Sequence, residues 1–176
     1  APQRYMRRGF SEAVATLRFR KRRRLRRKEV AALHERLEAA YGAAPFSTEA
    51  SVDRAEGPEY DVLFEGGDIV ALLLDEVPTP SVRGMLRSRP SKRFVTVDAG
   101  AVPYVYNGAD VMAPGIVEAD AGIEPGDLIW VRDEANGVPL AVGRALVTGA
   151  AMVAGSKGKA VESLHHVGDR LWNLEE

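Results

Sequence analysis

Between residues 91 and 176 a glycine or proline interrupts the chain every ten or so residues. Proline lacks a backbone donor, and a glycine inside a helix costs ~1 kcal/mol relative to alanine, so no long helix survives there. What remains is a series of short apolar pieces suited to strands. Several such strands joined by Gly/Pro turns predict a small β-barrel.

The pieces can be placed in order. "KRFVTVD" reads as a strand. Asp98 is set to cap a helix over "AGAVPYVYNG", which Pro103 keeps short and Gly108 ends in the left-handed conformation. "DVMAPGI" is expected to be extended and to turn at Pro114-Gly115. The turn "EPGD" precedes a strand "LIWVRD", and "ANG" leads to a long strand "VPLAVGRALV". "AAMVAGSKGKAVES" predicts a short helix and a Gly-rich loop. "HHVGDRLWNL" predicts a final strand with Trp172 and Leu174 on one face.

The first half is patterned differently. From about Lys21 to Tyr41, Val30, Leu33, Leu37 and Tyr41 form one apolar stripe at helical spacing, with Gly42 as the stop. Residues 43–58 read as a loop. "EYDVLF-EGGD-IVALLL" predicts a hairpin around Gly66-Gly67. "TPSVRGMLRSRP" predicts a short helix capped by Thr79, with Pro80 at its first position and Pro90 past its end. The longest aliphatic run, "IVALLL", is far too short to cross a membrane, and "APQRYMRRGF" has no apolar segment behind its charges, so no secretory signal is expected.

Charge divides the chain again. The net charge is −1. Residues 1–28 hold twelve Arg or Lys and one acid, and the remainder is correspondingly acidic. The densest stretch, "RFRKRRRLRRK", supplies Arg18, Arg20, Lys21, Arg22, Arg23, Arg24, Arg26, Arg27 and Lys28. Cations at a helix N-terminus oppose its dipole, so this placement favours a polyanionic partner. Nucleic acid suits it better than a membrane surface, because no Trp or Phe wedge accompanies the apolar stripe.

A catalytic constellation is missing. With no cysteine, the chain has no thiol catalysis, thiolate metal site or disulfide, which fits a reducing, cytoplasmic setting. "GSKGK" resembles a phosphate loop but carries Ala160 where Ser or Thr would hold magnesium. It reads as a basic turn or as a phosphate contact on nucleic acid. His165 and His166 are adjacent and would point to opposite faces of a strand, one packed and one solvated, so no metal site is expected. Trp130 reads as core.

These pieces carry a resemblance. "VDAGAVPYVYNGADVMAPGI", "GDLIWVRD", "PLAVGRALV" and "SLHHVGDRLWNL" together resemble the PUA domain, named for pseudouridine synthases and archaeosine transglycosylases. "KGKAVESLHHVGDRLW" and "EGGDIVALLLDEVPTPSVRGML" resemble more narrowly the malignant T-cell-amplified sequence protein family and its archaeal relatives, in which a smaller N-terminal domain precedes the PUA domain. The likeness covers residues 60–174 well and 1–59 poorly.

The resemblance implies an α+β protein with a small mixed domain over 29–90 and a PUA pseudobarrel over 91–176; the basic arm over 1–28 is read from charge and is heavier than the family leads one to expect. It implies an RNA-binding surface at Gly100 and Ala101 and from Asn107 through Gly108, Ala109, Met112 and Pro114 to Gly115. Simple helix capping and a turn would also explain both bends. Gly100 and Gly108 would admit an RNA backbone or base, and Val111 and Met112 would lodge in the barrel. Lys92, Arg93 and Arg144 would supply charge near that face, and Lys157 and Lys159 would contact phosphates. Tyr104 and Tyr106 are candidates to stack on bases, with at least one expected in the core. Relatives often carry Lys where Pro103 stands, which removes one phosphate contact.

The expected function is non-enzymatic binding of ribosomal or transfer RNA in translation initiation or recycling, without a cofactor, on the small ribosomal subunit and with a second translation factor. The alternative is an RNA-targeting component of a modification enzyme of the pseudouridine synthase or transglycosylase type, for which Asp61 or Asp68 stays open as a nucleophile.

Overall fold

The computed structural model describes residues 19–173. They build two sheets joined by one shared core. The first sheet holds β1 (Arg20–Arg24), β2 (Val52–Glu56), β3 (Asp61–Glu65), β4 (Asp68–Leu74) and β5 (Val77–Pro80) in sequential antiparallel order. Two helices, α1 (Arg27–Tyr41) and α2 (Val82–Ser88), accompany it. The second sheet is a six-stranded pseudobarrel. Its strands are β6 (Phe94–Val97), β7 (Val111–Met112), β8 (Ile116–Ala119), β9 (Leu128–Asp133), β10 (Pro139–Ala145) and β11 (Lys159–His166), ordered β7-β11-β10-β9-β6-β8. The β6–β9 pairing is parallel. Short helices α3 (Val102–Tyr106) and α4 (Gly149–Ala154) and a 3-10 turn (Ala113–Gly115) fill its connections.

The hairpin at Gly66-Gly67 forms as expected, with Glu65 opposite Asp68 across a two-residue turn. Elsewhere in the first half the structure corrects the sequence reading. The helix begins at Arg27, not at Lys21, because Arg20–Arg24 pair with β2 as an edge strand. Lys21 takes a positive φ of 52° where that pairing shifts register, and Leu25 is buried at the corner. The supposed loop over 43–58 contains β2. Its sequence, VDRAE, buries only Val52 and Ala55, so it lacks the alternation that marks a half-buried strand. The α2 cap is Ser81 rather than Thr79. Its hydroxyl accepts from the Gly84 N–H at 3.0 Å and donates to the Ile69 carbonyl at 2.7 Å, while Thr79 and Pro80 belong to β5. Pro80 is tolerated there because β5 is an edge strand.

The second half follows its punctuation closely, except at its end. The last strand is "KAVESLHH", and residues 167–173 are turns. Asp169 stops the strand by accepting from the backbone N–H groups of His166 (2.9 Å) and Trp172 (2.8 Å). Leu174 lies outside the described residues.

Three apolar clusters hold the molecule. The pseudobarrel interior packs Val95, Val97, Ile129, Val131, Leu140, Met152 and Val161. A second cluster spans both sheets, joining Val30, Leu37, Tyr41, Leu63 and Met85 to Trp130 and Val142. Full burial of each such side chain contributes ~1.5–3 kcal/mol, so the seam is a true core. Its polar ends are satisfied: the Tyr41 hydroxyl donates to the Leu128 carbonyl at 2.8 Å, and the Trp130 indole N–H donates to the Lys92 carbonyl at 2.7 Å. Trp130 is thus core, as its strand position suggests. The third cluster packs Val62, Phe64, Ile69 and Leu72 with Leu171 from the C-terminal turns.

Candidate nucleic-acid interface

The interface grows from the end of β6. There an Asp98 carboxylate oxygen accepts from the Ala101 N–H at 2.9 Å, and the Asp98 N–H donates to the Gly115 carbonyl at 2.9 Å. Asp98 therefore closes the turn that leads into α3, whose N-cap is Ala101 without a side-chain cap, and the Asp98 backbone ties that turn to the 3-10 turn. Five residues of helix leave one inward position, and Val105 takes it. Both Tyr104 and Tyr106 face out, at 67% and 43% exposure, so the expected core tyrosine is not there. Gly108 ends the helix at φ 81°, as its position predicts.

On the far side, β7 is two residues long and alternates. Val111 is buried and Met112 turns outward, so only the first lodges in the barrel. The Ala113 N–H then donates to the Gly158 carbonyl at 2.9 Å, which binds this arm to the loop before β11.

Between the two arms lies an open notch of about 590 Å³. Gly100, Ala101 and Tyr104 form one side, Ala109 and Met112 the other, with Pro114, Gly115 and Lys159 closing it. The Gly115 position cannot hold a side chain without moving the arms apart, since a Cβ there would stand 2.9 Å from the Ala101 Cβ. Gly100 meets only an Asp98 oxygen, at 3.4 Å, and otherwise faces open space. Asp98, Val105, Asp110 and Val111 also line the notch. Of these, Asp110 was not singled out by sequence reasoning. Its role depends on the pairing of β7 with β11, which brings Lys159 opposite Met112.

Asp110 sets the charge of the rim. One carboxylate oxygen accepts from the Ser163 N–H at 2.9 Å and the other lies 3.2 Å from the Lys159 ammonium. The backbone hydrogen bond from Ser163 and then Lys159 hold its carboxyl below the usual carboxylate range. The notch is therefore a largely apolar recess whose charged lining is Asp98 and the Asp110–Lys159 pair, with exposed Lys157 two residues before Lys159.

The other expected contacts fall elsewhere. Asn107 is exposed at the C-terminal end of α3, outside the notch walls. Gly108 lines a different cavity, and the space its side chain would take is filled by His166, whose Nε2 stands 2.8 Å from that Cβ position. Lys92 and Arg93 sit at the seam between the sheets. The Lys92 ammonium donates to the Ala39 carbonyl at 3.3 Å, and the Arg93 guanidinium lies 5.5 Å from the Tyr41 ring centre. Arg144 is half-buried on β10, opposite Glu162.

Arg18 lies outside the described residues. The rest of the basic run is partly neutralised by the protein itself. Arg22 and Arg24 share the Asp53 carboxylate, Arg23 forks onto Glu29 at 3.2 and 3.0 Å, and Lys21 lies 3.7 Å from Glu56. The Arg23 side chain, and next the Arg26 N–H, bring the Glu29 carboxyl down to about 2. Arg20, Arg26, Arg27 and Lys28 have no ion-pair partner among the described residues.

His165 is buried and His166 half-buried, as their alternation predicts. Asp61 and Asp68 are engaged by Arg54 (2.8 Å) and Arg87 (2.6 Å). Among the described residues, no helix is long and apolar enough to cross a membrane, and no group of three or more His, Asp or Glu is arranged to hold a metal.

Residues 93–167 match the family model of the PUA domain. An uncharacterised protein of Methanocaldococcus jannaschii is 37% identical over 158 residues, which span 89% of this chain and 98% of that relative. Translation machinery-associated protein 20 of Saccharomyces cerevisiae is 35% identical over 101 residues, covering 54% of this chain and 56% of its own length. A malignant T-cell-amplified sequence 1 homolog of Drosophila melanogaster is 35% identical over 85 residues, 45% of this chain and 47% of that protein. The chain thus matches about half the length of these two eukaryotic relatives. A hypothetical protein of Pyrococcus horikoshii superposes with a TM-score of 0.75 at 33% identity, over 86% of this chain and 98% of that one.

Proposed function

This chain belongs to the PUA-domain family that includes the malignant T-cell-amplified sequence proteins and their archaeal relatives, and from that premise we propose that it binds RNA, without catalysing a reaction on it, as part of translation. The observation that carries this reading is the notch. A recess with alanine, glycine and proline in its lining carries Tyr104 and Met112, both exposed, at its edge. An unpaired base fits such a recess. Stacking on an aromatic ring contributes ~1–3 kcal/mol per base whatever the sequence. In this reading Lys159, on the notch lining, exchanges Asp110 for the phosphate that follows the base, and exposed Lys157 on the same loop adds charge.

The basic run adds affinity without sequence preference, chiefly through Arg20, Arg26, Arg27 and Lys28. In this reading residues 1–28 are a basic arm, 29–90 a docking domain and 91–176 the RNA-reading domain. The RNA is ribosomal or transfer RNA, bound on the small ribosomal subunit beside a second translation factor. The name of the yeast relative supports that setting.

The test is RNA affinity measured against salt. For single-stranded RNA the log–log slope should be about −0.7 per phosphate neutralised. Truncation at residue 28 would also remove β1, so the cleaner variant replaces Arg26, Arg27 and Lys28 together by Gln. It should flatten the slope by about two, at ~0.7 for each of three contacts, with little change in stability. An unchanged slope retires the arm as an RNA contact. No RNA affinity at moderate salt retires the whole reading and favours a protein-interaction module.

A further inference from the structure

Another cavity, of about 480 Å³, lies next to the notch along the chain. Ala109 lines the notch and Gly108, the residue before it, lines this cavity, so the two are separated by the width of one bend. The second cavity lies at the junction of the two halves, between Tyr60 of the β2–β3 loop and Leu164, His166 and Arg170 of the C-terminal segment.

Three features equip it for a ligand. First, Leu164 sits in a register shift: Val142 pairs with His165 and Gly143 with Ser163, which leaves Leu164 as the extra residue of a β-bulge. Bulges re-aim side chains beside sites, and this one brings Leu164 into the cavity wall. Second, the His166 Nδ1 lies 2.9 Å from the Val167 carbonyl. A carbonyl only accepts, so Nδ1 carries the proton and Nε2 of the neutral ring keeps a free lone pair. That nitrogen stands over Gly108, where no side chain intervenes. Third, Arg170 is exposed and has no ion-pair partner among the described residues. The neighbouring Asp169 does not compete for it, because its oxygens are taken by His165 Nδ1 and by the His166 and Trp172 N–H groups.

Beside Glu59, the lining thus offers an aromatic ring, a nitrogen acceptor and a guanidinium, the three contacts a nucleotide needs. We propose that this cavity takes the nucleotide next to the one seated in the notch, with its base against Tyr60 and Leu164, an N–H of its Watson–Crick edge (N3–H in a uracil) donating to His166 Nε2 and its phosphate on Arg170. The inference rests on the RNA reading above and extends it from one nucleotide to two. Glycine at 108 is what makes room for the His166 ring at this bend, since a Cβ there would stand 2.8 Å from its Nε2.

The experiment uses the full chain and single-stranded oligoribonucleotides lengthened one nucleotide at a time. The wild type should show a step of ~10-fold in affinity when the second cavity is first reached. Leu164→Trp, which narrows the cavity, and Arg170→Gln should each reduce that step to under about threefold and leave shorter oligonucleotides bound as before. A 4-thiouridine at the added position should crosslink to Tyr60 or His166, read by mass spectrometry. If both variants keep the full step, or the crosslink maps away from this cavity, the inference fails and the notch reading stands. If no oligonucleotide binds the wild type, both fail together.

Discussion

The basic strand and the notch make opposite impressions in the sequence and in the structure. "RFRKRRRLRRK" is the most conspicuous stretch of the chain, yet in β1 Lys21, Arg22, Arg23 and Arg24 face acids supplied by β2 and α1. The notch has a single lysine set among Asp98 and Asp110, yet it keeps an apolar floor and a two-thirds exposed tyrosine open to solvent. Charge density along a chain therefore does not measure the charge left for a partner. What counts is the charge remaining after the protein's own acids have been folded against it. Solvated surface pairs are each worth only ~0–1 kcal/mol, so those acids loosen rather than lock the strand's cations.

The contrast is tested most strongly at Tyr104. Tyr104→Ala should weaken single-stranded RNA binding by about 5- to 100-fold, the equivalent of one lost stacking contact. Because the ring is exposed, the thermal midpoint should stay within the scatter of ordinary surface substitutions, ~0.5 kcal/mol or less. Calorimetric unfolding beside a binding titration separates the two effects. A large loss of stability would mean that the ring is structural and that the notch is merely a packing feature.

A smaller effect is expected at Asp53, the acid shared by Arg22 and Arg24. Asp53→Asn should release Arg24 to phosphate and steepen the salt dependence of RNA binding by about 0.7, one contact. Arg22 keeps its place 4.1 Å over the Phe64 ring and adds little. Stability should fall by ~1 kcal/mol or less. A slope that does not change would show that β1 faces away from the RNA, leaving Arg26, Arg27 and Lys28 to carry the arm's share.

These two regions also differ in how far they can be read without a structure. The notch half was legible because its punctuation is local. Asp98, Pro103, Gly108 and Pro114-Gly115 each act within a few residues, so helix, bend and turn fall where the sequence puts them. The basic half was not, because its strand is decided by partners far along the chain. Arg20–Arg24 pair with residues 53–56, about thirty positions away, and "RKRRRLRRK" is made of good helix formers with none of the alternation that marks a strand. The same limit hid Asp110, whose partners Ser163 and Lys159 lie on β11. It also misplaced Lys92 and Arg93, which lie close to the notch in sequence but serve the seam with α1.

The smallest and most discriminating difference is in acid. Arg24 and then Arg22 hold the Asp53 carboxyl below its ordinary range, whereas Asp110 is held down first by the Ser163 N–H and then by Lys159. Both folded values lie below the unfolded value of about 3.9, so each contribution is complete above pH ~4 and is lost as pH falls through the folded value. Stability should be flat on this account from pH 7 to 5 and decline below ~4, and Asp53→Asn or Asp110→Asn should each blunt the decline. Salt then tells them apart. At 1 M the screening length is ~3 Å, which weakens an exposed guanidinium pair but hardly touches a hydrogen bond from a backbone N–H. The part of the acid decline owed to Asp53 should shrink in 1 M salt, and the part owed to Asp110 should persist. Equal shrinkage at both sites would mean that Lys159, not Ser163, governs Asp110, and that the notch rim is as loosely neutralised as the basic strand.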